Sequence, residues 1–322
     1  MRASLVGELR CPKDHLSWVL RFSRNGRLLA SGGCDRRACI WEARTGRPIA
    51  MLVRRRLCGL RGVVSLEFLP NDNRVLTGLW NGEINLWESE AARRLLTFKH
   101  PTHVFRSLVF SIPGPLVALL GEGTSIVSAS LDGEIWISSL EDGALIHKLR
   151  PIPPHILAVT AFPDGKTVAL GSSHGVVYLV DVWDGQVNAR LSFSGRPRAG
   201  GIASVCVATD RPFVGAGSTN GECCVWNWHT AAEVFRLGRN LGSVDSVALT
   251  PMGHLIAIGS VDGVVRVFEI ESGGYELSFP SVDPNPRRLR GLKLPVAFSP
   301  DGNMLAVGCP DAVVRLYSLS YD

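Results

Sequence analysis

Polar turns that recur at intervals of roughly forty to fifty residues predict an all-β chain, folded as a seven-bladed β-propeller of four-stranded antiparallel blades. A second observation supports this period: each turn residue is followed, six positions on, by the residue that closes a strand. The seven pairs are Asp35/Trp41, Asn81/Trp87, Asp132/Ser138, His174/Val180, Asn220/Trp226, Asp262/Phe268 and Asp311/Tyr317. Helical repeat proteins have shorter periods in most families, so the spacing favours blades.

Each unit opens with an alternating apolar run, which predicts its first strand. These runs are Trp18–Phe22, Val63–Phe68, Ser107–Phe110, Leu157–Phe162, Ala203–Val207, Val244–Leu249 and Leu294–Phe298. Turn residues such as Pro163-Asp164-Gly165 follow in most units and supply the backbone angles that a hairpin needs.

A second run of small apolar residues, such as Val168–Ser172, predicts the next strand of each unit. Strong two-residue hairpin signals follow this run at Asn81-Gly82, Asp132-Gly133, Asn220-Gly221 and Asp262-Gly263. Fourth strands are predicted at Ile49–Val53, Leu145–Leu149 and Val187–Phe193. Four strands per unit make one blade.

The residues that close the third strands carry a family resemblance. Ile40-Trp41-Glu42, Leu86-Trp87-Glu88 and Val225-Trp226-Asn227 stand where WD repeats have their Trp-Asp pair, so the units resemble that family over nearly the whole chain. Only Val180-Asp181 has Asp directly after the closing residue, and no Gly-His pair precedes a first strand. The resemblance implies a non-catalytic scaffold that holds partner proteins in a complex. The departures imply that the family's hydrogen-bonded Trp, Ser, His and Asp set is incomplete here.

The seventh unit ends soon after Tyr317, which leaves no room for a fourth strand. Residues 4–10 alternate between apolar and polar side chains, and we expect Leu5–Leu9 to supply the missing outer strand. This strand would close the ring and cover an otherwise unpaired sheet edge. Residues 1–322 would then form a single propeller domain.

Composition indicates an intracellular protein, cytoplasmic or nuclear. Hydrophobic residues make up 46% of the chain, and no apolar run reaches the roughly 18 residues of a membrane helix. Arg2, Glu8 and Arg10 interrupt the N-terminal segment, which makes it a poor signal peptide. The cysteines show no CxxC spacing, which predicts buried, reduced thiols in a reducing compartment; they are Cys11, Cys34, Cys39, Cys58, Cys206, Cys223, Cys224 and Cys309.

The net charge is +5, and the basic and acidic residues are distributed unevenly over the repeat unit. Loops that join a fourth strand to the next first strand emerge on one face, and these loops hold most of the candidate partner-binding residues. The candidates are Arg54, Arg55, Arg56, Arg61, Arg106, Arg150, Arg196, Arg198, Arg287, Arg288, Arg290 and Lys293, with Trp80 from a neighbouring turn as an anchor. The opposite loops carry acids such as Glu42 and Glu88.

This basic face predicts docking of an acidic or phosphorylated protein segment, because the guanidinium group pairs two oxygens at once. The alternative is that dispersed arginines only keep the protein soluble. Nucleic acid is the less favoured partner, because Phe105 is the one aromatic residue of these loops. We expect a monomer within a hetero-complex and no membrane association.

Motifs that resemble catalytic sites have a structural explanation. Gly171–Gly175 matches the G-x-S-x-G elbow of hydrolases but falls on a hairpin turn, whereas the elbow joins a strand to a helix. His15, His103 and His155 each precede a phenylalanine by seven residues, which predicts one repeat position on three different blades. His100 and His103 lack a companion at metal-ligand spacing. We therefore predict no catalytic residue, no metal ligand and no cofactor.

Three alternatives to the scaffold stay open. Trp41-Glu42-Ala43-Arg44 resembles the W-D-x-R element by which some WD-repeat proteins engage the adaptor of a cullin ubiquitin ligase. An enzyme would gather His, Asp or Glu at the channel mouth, near Trp18, Arg106 and Asp245. A bacterial relative with a sensory or assembly role would use the same surface and differ in its partner.

Overall fold

The computed structural model describes residues 1–10, 15–53, 62–99, 116–120, 124–129, 133–149, 155–193, 200–238, 242–280 and 293–320. Within these ranges the chain forms seven four-stranded antiparallel sheets and no helix. The predicted seven-bladed propeller is confirmed. No helix of the described part is long and apolar enough to cross a membrane.

In blades 1 to 6 the strands follow one another along the chain from the inside of the blade to its outside. The first strand is β1 (Arg2–Arg10). Blade 1 contains β2 (Ser17–Phe22), β3 (Leu28–Gly33), β4 (Arg37–Glu42) and β5 (Pro48–Val53). Blade 2 contains β6 (Val63–Phe68), β7 (Arg74–Leu79), β8 (Glu83–Glu88) and β9 (Arg94–Lys99). Blade 3 contains β10 (Leu116–Leu120), β11 (Ser125–Ala129), β12 (Ile135–Ser139) and β13 (Leu145–Leu149).

The remaining blades have the same order. Blade 4 contains β14 (Ile156–Ala161), β15 (Thr167–Ser172), β16 (Val176–Asp181) and β17 (Val187–Ser192). Blade 5 contains β18 (Ile202–Val207), β19 (Phe213–Ser218), β20 (Cys223–Asn227) and β21 (Ala232–Leu237). Blade 6 contains β22 (Val244–Leu249), β23 (Leu255–Ser260), β24 (Val264–Glu269) and β25 (Tyr275–Pro280). Blade 7 contains β26 (Val296–Phe298), β27 (Met304–Gly308), β28 (Val313–Ser320) and, as its outer strand, β1.

The hydrophobic core lies between neighbouring blades. Seven clusters of buried side chains occupy the seven blade junctions of the described part. The second strands are rich in small residues because the next blade approaches them closely. A Cβ atom on Gly217 would lie 2.3 Å from a methyl group of Val244, and one on Gly259 would lie 2.0 Å from the carbonyl oxygen of Leu294.

The N-terminal strand closes the ring as expected, and it is longer than the predicted range. β1 pairs antiparallel with β28 from Arg2 opposite Ser320 to Arg10 opposite Val313, with a bulge between Leu5 and Gly7. The Leu9 side chain is 2% exposed, in the cluster that joins blade 7 to blade 1. This strand is therefore part of the core as well as an edge cover.

An ion-pair network crosses the same junction of β1 and β28. The Arg315 Nε atom donates to Glu8 at 3.2 Å, and Nη2 donates to Asp311 at 2.5 Å. The Arg10 and Arg315 guanidinium groups hold the pKa of Glu8 below its usual value. Arg315 is 7% exposed, so its removal would take away the buried cation that Glu8 and Asp311 share and leave Glu8 paired with Arg10.

The third unit departs from the sequence-based prediction. Its inner strand is Leu116–Leu120, whereas Ser107–Phe110 lies outside the described residues. Both segments are apolar, but Leu116–Leu120 stands close enough to β11 to pair with it through a short hairpin. The segment closer to β11 along the chain is therefore the inner strand, and our sequence analysis of the third unit did not predict it.

The prediction of buried, reduced thiols is confirmed at Cys223, Cys224 and Cys309. Cys34 and Cys206 are free but only partly buried, and Cys11 and Cys58 lie outside the described residues. Cys39 is disulfide-bonded, so the prediction of a reduced thiol is wrong there. No spacing rule in the sequence indicates this bond, because disulfide formation depends on which side chains the fold brings together.

Candidate functional site

The inner strands enclose a central channel with a cavity of about 330 Å³. Its described wall includes residues of β2, β6, β14, β18, β22 and β26. The turns between second and third strands lie at one end of this channel, together with the starts of the inner strands. We call this end the channel mouth.

A β-bulge at the second residue of the inner strand shapes the mouth. The pairing register between inner and second strands shifts at this position in five described blades. A bulge adds one residue and re-aims its side chain. The residues at the five bulges all line the channel; they are Trp18, Val64, Leu157, Ala203 and Asp245.

Two tryptophans meet at the mouth between blades 1 and 2. The ring centroids of Trp18 and Trp80 are 5.7 Å apart, and the ring planes are tilted by 46°. The Trp80 amide donates to the carbonyl oxygen of Gly62 at 3.0 Å, which fixes the turn. A Cβ atom on Gly62 would lie 2.3 Å from the Trp18 ring, so glycine is needed there. Both rings are half-buried and present an aromatic surface beside the channel.

An acid and a base face each other across the junction of blades 6 and 7. Burial raises the pKa of Asp245 to about 6, and the Lys293 ammonium group partly opposes this shift. Burial lowers the pKa of Lys293, and the Asp245 carboxylate opposes that shift in turn. The Oδ2 atom of Asp245 has no hydrogen-bond partner among the described residues. The channel mouth therefore has two aromatic side chains between blades 1 and 2 and two ionisable side chains between blades 6 and 7.

Only part of the predicted partner-binding set falls within the described residues. Trp80 contacts Trp18 at the mouth, and Lys293 lines the channel beside Asp245. The other candidates lie outside the described residues and stay predictions; they are Arg54, Arg55, Arg56, Arg61, Arg106, Arg150, Arg196, Arg198, Arg287, Arg288 and Arg290. The contact between Trp80 and Trp18 joins two residues that the repeat assigns to different blades.

Within blade 1, a histidine side chain forms a hydrogen bond to an aspartate on one side and to a serine on the other. The Nδ1 atom of His15 lies 2.7 Å from Asp35 Oδ1, and Nε2 lies 2.9 Å from Ser31 Oγ. A hydrolytic triad has the same order of groups. His15 is 1% exposed and Ser31 is fully buried, so no substrate reaches the hydroxyl group.

This network contains three members of the Trp, Ser, His and Asp set that the sequence predicts to be incomplete. In blade 1 these three side chains join the inner strand to the turn. In blade 2 the Trp87 indole instead donates to Thr77 Oγ1 at 2.9 Å. The sequence signal for the blade 1 network was present, because Asp35 is the turn residue of that unit.

His155 does not share the repeat position of His15, which corrects the prediction. The carbonyl oxygen of Leu16 accepts from Cys34 N in blade 1, and that of His155 accepts from Ser173 N in blade 4. His155 is therefore the counterpart of Leu16, one residue later. His103 lies outside the described residues. The shift leaves His155 exposed, with a φ of 80°, beside His174.

The apparent hydrolase motif is a turn, as predicted. Gly171–Gly175 spans the end of β15 and the hairpin that leads to β16. The serine at the nucleophile position of the motif is Ser173, which is half-buried and lies in the turn itself. The hydroxyl group of the neighbouring Ser172 donates to the carbonyl oxygen of Val176 at 2.9 Å and stabilises the turn. This turn leads into another strand, so the strand-to-helix geometry of the elbow is missing.

Comparison with known proteins agrees with this geometry. The WD40 family, described as "WD domain, G-beta repeat", matches residues 4–42, 234–269 and 296–318. A guanine nucleotide-binding protein subunit beta of Oryza sativa subsp. indica is 26% identical over 275 residues, covering 80% of this chain and 70% of the relative. The corresponding subunit of Zea mays is 25% identical over 276 residues, with the same coverage of both chains.

A relative outside the plants has a different name and a similar identity. WD repeat-containing protein SL1-17 of Schistosoma mansoni is 26% identical over 212 residues, covering 66% of each chain. The matched segments fall on blades 1, 5, 6 and 7. The resemblance inferred from the repeat pattern is confirmed.

Proposed function

We propose that this β-propeller, of which three segments match the WD40 family, is a non-catalytic scaffold that binds partner proteins at the channel mouth. The tryptophan pair carries this proposal. Trp18 and Trp80 are half-buried, lie side by side and come from adjacent blades. Tryptophan is enriched among the residues that dominate binding energy at interfaces.

The finer proposal is that the partner segment is acidic or phosphorylated. Its support is the placement of arginines in the loops that lead to the inner strands, together with Lys293 at the channel wall. Exposed ion pairs contribute only about 0–1 kcal/mol each. We therefore propose that the arginines steer and orient the partner and that the aromatic pair holds it.

The assembly and location of the protein are also proposals. Several relatives are named as subunits, which supports a monomer of this chain within a hetero-complex. The free thiols of the described part, which outnumber the one disulfide-bonded cysteine, Cys39, support a cytoplasmic or nuclear complex.

An enzymatic role has less support. Among the described residues that line the channel, Asp245 is the one acid, it faces Lys293, and no histidine lies beside it. The cullin-adaptor element also lacks an exposed anchor, since Trp41 is 2% exposed and Glu42 accepts a hydrogen bond from Thr45 at 2.6 Å. Co-precipitation with the adaptor would revive that alternative.

The proposal is tested by affinity purification with mass spectrometry, followed by binding measurements on the partners found. One variant changes Arg54, Arg55, Arg56, Arg287, Arg288 and Arg290 to Glu, and a second is Trp80→Ala. We expect both to lose the same partners, and the affinity for the identified partner to fall steeply with salt.

Two matched controls sit on the opposite end of the blades. Trp183→Ala removes a tryptophan that is 49% exposed in the loop after β16. Reversing Arg24 and Arg44 to Glu tests charge on that end, against the paired reversal of Arg287 and Arg288. Partner loss with the controls alone would move the binding surface to the other end and overturn the proposal.

A further inference from the structure

Two exposed histidines meet at the mouth end of blade 4. His155 immediately precedes β14, and His174 lies in the turn between β15 and β16. Their ring centroids are 6.3 Å apart, and the ring planes are tilted by 54°. The sequence-based prediction of no metal ligand rested on histidines spread over several blades, and it did not consider this pair.

The backbone holds the two residues in register. Ser173 N donates to the carbonyl oxygen of His155 at 2.9 Å, and Gly175 N donates to that of Ser172 at 3.3 Å. Gly175 has a φ of 77°, which closes the hairpin turn. The distance between the two Cα atoms is therefore set by the blade, and only the side-chain torsions are free to adjust.

The imidazole nitrogens of this pair are available. Within the described part, the polar contact of these rings joins His174 Nδ1 to Ser173 Oγ at 3.4 Å, which leaves Nε2 accessible. In blade 1, by contrast, both nitrogens of His15 are taken by Asp35 and Ser31. Imidazole nitrogens of this kind are the preferred ligands of zinc, copper and nickel.

The spacing suits one shared ion. A zinc ion lies about 2.0–2.1 Å from each ligating nitrogen, which puts it about 3.2 Å from each ring centroid. Two rings on one ion then have centroids between about 5 Å, for tetrahedral angles, and about 6.4 Å, for a linear arrangement. The separation in blade 4 is 6.3 Å, about 1 Å wider than the tetrahedral value that zinc adopts. Rotation of the two exposed side chains toward each other closes this gap.

We propose that His155 and His174 bind one divalent transition-metal ion of the zinc class. The described residues contain no cluster of three or more ligating side chains, so the pair supplies two positions and water fills the others. The ion would join the start of β14 to the turn after β15. This site is independent of the proposed docking function.

The test is a calorimetric titration of the tag-free protein, with the Cys39 disulfide intact, with zinc chloride. We expect one ion per chain. His155→Asn and His174→Asn should each weaken binding at least about tenfold, which is the loss expected when one of two ligands is removed. Asparagine tolerates the positive φ of His155, so the fold should be kept. His254→Asn, at an exposed histidine in the loop between β22 and β23, is the matched control and should bind as the unchanged protein does.

Nuclear magnetic resonance gives a second readout that does not depend on affinity. Zinc should shift the ring signals of His155 and His174 and leave those of His229 and His254 in place, while magnesium should shift none of them. Zinc binding that neither asparagine variant weakens, or the absence of zinc-dependent shifts at both rings, would overturn the proposal.

Discussion

Blades 1 and 4 each contain a histidine near the start of the inner strand, and one of these histidines is buried while the other is exposed. His15 is buried, and its ring bonds to Asp35 and Ser31. His155 lies one position later in the register, is exposed, and faces His174. A shift by one residue exchanges the inward and outward sides of an extended chain. The same side chain is therefore a structural element in one blade and a surface group in the other.

Deleting residues 1–10 should have the largest effect on stability. The effect should be greater in blade 1 than in blade 4. The deletion removes Leu9 from the core next to blade 1 and Glu8 from Arg315. We expect a loss of more than about 3 kcal/mol in unfolding free energy, because a buried leucine alone contributes about 2–5 kcal/mol. Denaturant unfolding measures the loss, and hydrogen exchange should rise in blades 7 and 1 before blade 4.

Val6→Ser is the control for this deletion, since Val6 lies at the bulge of β1 and is 45% exposed. It should change the stability by no more than about 0.5 kcal/mol. An unchanged melting curve for the deleted protein would show that β1 does not close the ring.

Substituting the two histidines tests the comparison directly. His15→Ala leaves Ser31 and Asp35 without their partner inside the blade, so we expect a loss of about 2–4 kcal/mol. His155→Ala removes an exposed side chain and should cost no more than about 0.5 kcal/mol in metal-free buffer. Urea unfolding of both variants measures the difference. Equal losses would mean that the one-residue shift does not decide the role.

A smaller effect is expected at the bulge of the inner strand, where blade 4 has Leu157 and blade 6 has Asp245. The pKa of Asp245 is raised to about 6. The folded chain therefore binds the proton more tightly than the unfolded chain, and stability falls as the pH rises from about 4, where the unfolded carboxyl titrates, to about 6. Asp245→Asn should be more stable than the unchanged protein by about 2–3 kcal/mol at pH 8 and by about half of that at pH 5. A carboxyl titration with a midpoint below pH 5 would contradict this expectation.

The sequence was sufficient for the fold because each blade repeats the same local signals. Turn residues such as Asp262-Gly263 set the hairpins, and the apolar alternation set the strands. The closing strand was also predictable, because the last unit lacked an outer strand and residues 4–10 alternate. Unit 3 was misread because two apolar segments compete there, and only pairing with β11 distinguishes them.

The site was less predictable because it depends on contacts between blades. Trp80 was predicted as a binding residue from its position in a turn. Its contact with Trp18 depends on a β-bulge that no residue type predicts. The relation between Asp245 and Lys293 likewise joins two inner strands. The repeat position of His155 was mispredicted for a simpler reason. Counting back from a phenylalanine does not reveal a one-residue change in register.

The pairing of β1 with β28 also bears on how the chain reaches its folded state. Blades 1 to 6 are built from consecutive strands, so each of them can form its hairpins soon after synthesis. Blade 7 requires a strand made before all the others to pair with one made after them, and Arg315 must find Glu8 across almost the whole chain. Contacts this distant in sequence form slowly. Ring closure should therefore be the last step of folding, and until then the edges of β28 and β1 stay open to aggregation.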